Sequence, residues 1–129
     1  MAKKKVLLID DNRHFCEITK LWLHHTWKYR VVTAENGPTG IDLARKVRPD
    51  VILLDVRMPV MDGGRVAEHL LEDSSTSGIP IIFLTGLVRR EEVAQGDGFI
   101  AGRPFIAKPF RLEELTEMIE AITATSRAA

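Results

Sequence analysis

The sequence has no second cysteine. Cys16 stands alone, so no disulfide can form within the chain, and a reducing compartment is the default. It carries no net charge either: 18 Lys and Arg balance 18 Asp and Glu, and a pI near 6.9 gives no sign of a surface for nucleic acid or anionic membrane. No apolar run approaches membrane-spanning length. Lys3-Lys4-Lys5 ahead of residues 6–9 imitates a signal peptide, but the apolar run is too short and meets Asp10 and Asp11 at once. Internal repeats, linkers, a helix-turn-helix and a catalytic output segment are all missing. The histidines His14, His24, His25 and His69 show no metal spacing and read as surface residues. These absences leave one soluble, cytoplasmic globular domain over residues 1–129, with a frayed tail at 125–129. Apolar content of 45% and 28% charged residues suit a chain large enough for one buried core.

What is present is organised around Val51-Ile52-Leu53-Leu54-Asp55. A short apolar run between turn signals reads as a strand buried on both faces, as in parallel sheets. Val6-Leu7-Leu8-Ile9-Asp10-Asp11 repeats the pattern, and Ile81-Ile82-Phe83-Leu84-Thr85 and Phe105-Ile106-Ala107-Lys108 follow it. Residues 29–34 form a more polar strand, suited to an edge. Between the strands lie helical patterns. Phe15, Ile18, Leu21 and Trp22 mark the apolar face of the first helix, capped by Asp11-Asn12. Ile41, Ala44 and Val47 mark the second, and Val66, Leu70 and Leu71 the third. A weak helix is predicted over 89–95, and Leu112, Leu115, Met118, Ile119 and Ile122 give a clear last one. Strand–helix alternation of this kind predicts an α/β fold, a doubly wound parallel sheet with helices on both faces.

Every buried strand therefore ends in a polar residue: Asp10 and Asp11, Asp55, Thr85, Lys108. Open α/β sheets bind ligands at that carboxyl edge. Three carboxylates some 4 Å apart repel by roughly 4 kcal/mol per pair at an effective dielectric near 20. A shifted proton or a divalent cation would relieve this, and Mg²⁺ prefers such hard oxygen ligands. Lys108 adds a point charge and Thr85 a hydroxyl. Together they suit a phosphoryl group, with a carboxylate placed for in-line attack.

Asp10-Asp11, Asp55-Val56-Arg57-Met58-Pro59-Val60-Met61-Asp62-Gly63, Thr85-Gly86 and Lys108-Pro109-Phe110, in that order, closely resemble the receiver domain of two-component response regulators of the chemotaxis type. The resemblance spans essentially the whole chain. It implies five parallel strands in the flavodoxin-like order 2-1-3-4-5. It implies that Asp55 takes a phosphoryl group from a histidine kinase or phosphotransfer protein. Asp11 and Asp55 would ligate Mg²⁺, Asp10 would act largely through water, and the Arg57 backbone carbonyl would be a further ligand. Thr85 and Lys108 would hold phosphoryl oxygens, and the Lys108-Pro109 bond would be cis. Phe105 falls where family members carry a switch aromatic that turns inward as Thr85 moves, although packing alone is a ready role for it. Arg57 and Leu87 would border the pocket. A downstream protein target or an output domain outside this chain would read the change, with no direct role for nucleic acid or membrane.

Two features depart from the family pattern. Gly96, Gly98 and Gly102 follow the weak fourth helix, each interior glycine costing about 1 kcal/mol against alanine, so mobility is expected between Gln95 and Gly102. Pro104 removes a ladder donor at the start of the last strand. Two rival functions stand beside the signalling module. A phosphohydrolase with an aspartyl-phosphate intermediate would generally carry a second acid two residues after the nucleophile, where this chain has Arg57. A receiver that binds partners without phosphorylation would not need Asp10, Asp11, Asp55, Thr85 and Lys108 intact. On the favoured reading the chain is no enzyme beyond phosphotransfer onto, and hydrolysis from, its own Asp55.

Overall fold

The computed structural model describes residues 3–86, 99–100 and 103–128. The chain runs β1 (Lys4–Ile9), α1 (Arg13–His25), β2 (Tyr29–Ala34), α2 (Gly37–Val47), β3 (Val51–Asp55), α3 (Gly63–Glu72), β4 (Ile81–Thr85), β5 (Phe99–Ile100), β6 (Arg103–Ala107) and α4 (Leu112–Ala128). The sheet order is β2-β1-β3-β4-β6-β5. Its five parallel strands stand in the expected 2-1-3-4-5 order, β6 being the fifth. One strand was not expected: β5 pairs antiparallel with β6, Phe99 opposite Pro104 and Ile100 opposite Arg103. The fifth parallel strand thus starts earlier than Phe105 and is not the edge. A two-residue pairing is too short to leave a periodic signal. The helix expected over 89–95 lies outside the described residues, as does Leu87. So does the mobility expected between Gln95 and Gly102, except for Phe99 and Ile100.

Alternation along the strands builds two cores, one on each face of the sheet. Leu7, Ile9, Ile52, Leu54, Phe83 and Phe105 face Ile41, Ala44, Val66, Ala67 and Leu70 of α2 and α3. Val6, Leu8, Leu53, Leu84 and Ile106 face Cys16, Leu23, Leu115 and Ile119 of α1 and α4. Every residue of β3 and β4 is buried, as a doubly covered strand requires. Gly40 lets α2 close on β1, since a Cβ there would come 2.5 Å from Ile9 Cδ1.

The helix faces need two corrections. On α1 the buried residues are Cys16, Thr19 and Leu23, whereas Ile18, Leu21 and Trp22 are 40%, 67% and 45% exposed and Phe15 is half-buried. Two stripes at helical spacing compete here, and the one with small residues wins because it lets the helix approach the sheet. On α3, Ala67 is buried and Leu71 is exposed, since Leu71 sits about 100° around the helix from Leu70. Side chains cap each of these helices: Asn12 accepts from Phe15 N–H at 3.0 Å, Asn36 from Thr39 N–H at 2.8 Å and Asp62 from Arg65 N–H at 3.0 Å. Among the described residues no helix is long and apolar enough to cross a membrane.

Candidate functional site

The carboxyl ends of β1, β3, β4 and β6 converge, because parallel strands in register all stop at one edge. Asp10 follows β1 directly and is fully buried. Its Oδ1 accepts from the Asn12 N–H at 2.9 Å, and its Oδ2 accepts from Lys108 Nζ at 2.6 Å. Asp55 closes β3 and is 6% exposed. Lys108 Nζ stands 3.5 Å from Asp55 Oδ1, so one ammonium spans two acids. Asp11 is exposed at the mouth. Asp10, Asp11 and Asp55 each offer a carboxylate oxygen within 4.8 Å of the others. Hard oxygen donors in this number, on a buried and an exposed side of one rim, fit a magnesium-like ion with room for water.

Crowding has a direct electrostatic consequence. Burial pushes the Asp55 carboxyl up to about 6, the Asp10 and Asp11 charges add to the shift, and Lys108 opposes it.

Local backbone shapes the rest of the rim. Met61 N–H donates to the Pro59 carbonyl at 2.7 Å across Val60, whose φ is 69° and whose side chain is fully exposed. This tight turn with positive φ is rare for a β-branched residue. It returns the chain so that Gly63 lies against β3, with Gly63 N–H donating to Val56 O at 2.9 Å. A Cβ on Gly63 would collide with the Asp55 carbonyl. Arg57, on this loop, has an exposed side chain. Thr85 is buried at the end of β4, and its carbonyl accepts from Lys108 N–H at 2.8 Å. The Lys108–Pro109 bond is cis. Phe105 is 8% exposed, opposite Phe83 and packed in the core shared with α2 and α3.

The structure thus brings Asp10, Asp11, Asp55, Thr85 and Lys108 to one edge, with Arg57 on the adjoining loop and Phe105 beneath it. Sequence reading missed two neighbours. Phe15 puts its ring under the Lys108 ammonium, 4.1 Å from Nζ to the centroid, and meets Phe110 edge-on at 5.9 Å. Cys16 Sγ donates to the Asp10 carbonyl at 3.3 Å, and burial first, then the Asp10 charge, pushes its thiol up to about 12. No motif signals either residue, since both sit inside an ordinary amphipathic pattern. Beside the site, Phe15, Ile18, Trp22, Pro109 and Phe110 line an open groove of about 370 Å³ that Lys108 also borders. Thr19 lies in its floor, 1% exposed, with a hydroxyl that has no hydrogen-bond partner among the described residues.

The family model for the response regulator receiver domain matches residues 6–120. Protein PilH of Pseudomonas aeruginosa is 33% identical over 121 residues, 93% of this chain and 98% of PilH. The DNA-binding dual master transcriptional regulator RpaA of Synechocystis is 33% identical over 119 residues, 92% of this chain but 48% of RpaA. Among solved structures, the Vibrio cholerae chemotaxis protein CheY4 superposes with a TM-score of 0.80 at 30% identity, covering 94% of this chain and 99% of its own. The receiver domain of the Pseudomonas aeruginosa sensor histidine kinase PA1611, which holds a magnesium ion in its active-site cleft, superposes with a TM-score of 0.80 at 26% identity, covering 95% and 99%.

Proposed function

Because the chain belongs to the response regulator receiver domain family, we propose that Asp55 is its phosphoacceptor and that a phosphohistidine on a histidine kinase or phosphotransfer protein is the donor. One observation carries this reading: two acids from the end of β1 and an ammonium from the end of β6 meet around the buried Asp55 carboxylate at the end of β3. In the reaction an Asp55 carboxylate oxygen bonds to phosphorus as the phosphorus–nitrogen bond to the donor imidazole breaks, and the imidazole keeps that electron pair. Asp10, Asp11, Asp55 and the Arg57 carbonyl would hold Mg²⁺, which when bound neutralises phosphoryl charge. Lys108, already between Asp10 and Asp55, exchanges a carboxylate for a phosphoryl oxygen. Thr85 hydrogen-bonds another.

The groove beside Lys108 offers the donor an apolar landing. Ile18 and Trp22 are exposed there, continuous with the mouth through which a phosphohistidine must reach Asp55. Phosphorylation adds charge and acceptor oxygens at the edge of β4 and β6, and Phe105 is the aromatic positioned to repack as Thr85 moves. A downstream protein or an output domain outside this chain reads that change. Residues 1–129 act as one receiver unit in the cytoplasm, with no catalysis beyond transfer onto and hydrolysis from Asp55.

Incubation with acetyl phosphate and Mg²⁺, followed by intact mass measurement, tests the reading. The expected result is one phosphoryl group per chain, abolished in Asp55→Asn and by chelation. Continuous phosphate release would favour a phosphohydrolase, and a folded chain that takes no label would be a binding module alone.

A further inference from the structure

Lysine carries its charge on a flexible four-carbon stem, so an ammonium that must meet a phosphoryl group needs something to hold it. Here Lys108 Nζ bonds Asp10 Oδ2 at 2.6 Å, stands 3.5 Å from Asp55 Oδ1 and lies 4.1 Å from the Phe15 ring centroid. Two acids and one ring surround the ammonium. The ring is itself fixed twice. Its backbone N–H donates to the Asn12 cap at 3.0 Å, and its face is set by Phe110, whose ring meets it at 88°. Phe110 belongs to the same loop as Lys108, so this loop supplies both the cation and the buttress of the ring that receives it.

Any apolar residue could fill a half-buried position on α1. A ring whose face points at an ammonium does more, because the aromatic quadrupole attracts a cation and excludes water from that side. We propose that Phe15 is a positioning residue for Lys108, holding the ammonium over Asp55 in readiness for the incoming phosphoryl group. The proposal rests on Asp55 being the phosphoacceptor, and it adds a residue outside the strand-end set.

Phe15→Leu keeps an apolar body without an aromatic face, and Phe15→Tyr restores the face. In the parent the ε-methylene protons of Lys108 are expected upfield of their ordinary position, shifted by the Phe15 ring. They should return to it in Phe15→Leu and move upfield again in Phe15→Tyr. Phosphorylation by acetyl phosphate at saturating Mg²⁺ should slow roughly two- to fivefold in Phe15→Leu, the size of a partly exposed cation–ring contact, and recover in Phe15→Tyr. Half-saturating Mg²⁺ should be the same in all three proteins. A parent rate in Phe15→Leu, a Phe15→Tyr as slow as Phe15→Leu, or unshifted Lys108 protons in the parent would each overturn the proposal. The proton shift is read without donor or metal. A parent that takes no phosphoryl group would therefore sink the reading of Asp55, while the Lys108 spectrum still decides the role of Phe15.

Discussion

Asp55 ends a strand that is otherwise entirely aliphatic, and that placement sets its chemistry. An exposed carboxyl titrates near 4, and burial, then the Asp10 charge, pushes this one up to about 6. Between those values the folded chain binds more protons than the unfolded one, so stability is greater at the acid end and falls as pH rises from about 4 to about 6. In metal-free buffer, urea denaturation should show the parent losing up to about 3 kcal/mol relative to Asp55→Asn across that window. Parallel pH profiles for the two proteins would contradict the assignment. At this scale the site was legible because each of its members interrupts an apolar run: Asp10, Asp55, Thr85 and Lys108 all follow aliphatic residues. Phe15 and Cys16 interrupt nothing. Their roles arise from what α1 packs against, which no local pattern encodes.

Helix α1 shows how an element can satisfy its pattern in more than one way. Phe15, Ile18 and Trp22 form one stripe and Cys16, Thr19 and Leu23 another, and the sheet receives the second. Burial of Thr19 costs something, since its hydroxyl is shut away from solvent and has no partner among the described residues. Thr19→Val keeps the branched shape and removes the orphan, so it should raise stability by about 1 kcal/mol with an unchanged denaturant slope. A loss of stability would mean that the hydroxyl has a partner after all. The apolar stripe left outside is what creates the groove beside Lys108. Strands were easier to read than helix faces, because the doubly buried β3 and β4 have no face to choose. The short β5 offered too few residues to show any period.

The molecule as a whole is a device for gathering. Asp10 and Lys108 lie 98 positions apart in sequence yet share a 2.6 Å ion pair, because parallel strands in register end together. Alternation of strand and helix predicted the layers, and the resemblance to receiver domains supplied the strand order that makes β1 and β3 neighbours. A receiver site requires these separate strand ends to behave as one. Backbone amide spectra recorded while Mg²⁺ and beryllium fluoride, a phosphoryl mimic, are added to the intact chain test this most directly. The expected result is a single saturable event at one mimic per chain that moves the amides of Asp11, Asp55, Thr85 and Lys108 together and is lost in Asp55→Asn. Shifts that scatter over unrelated surfaces, or that persist unchanged in Asp55→Asn, would contradict it.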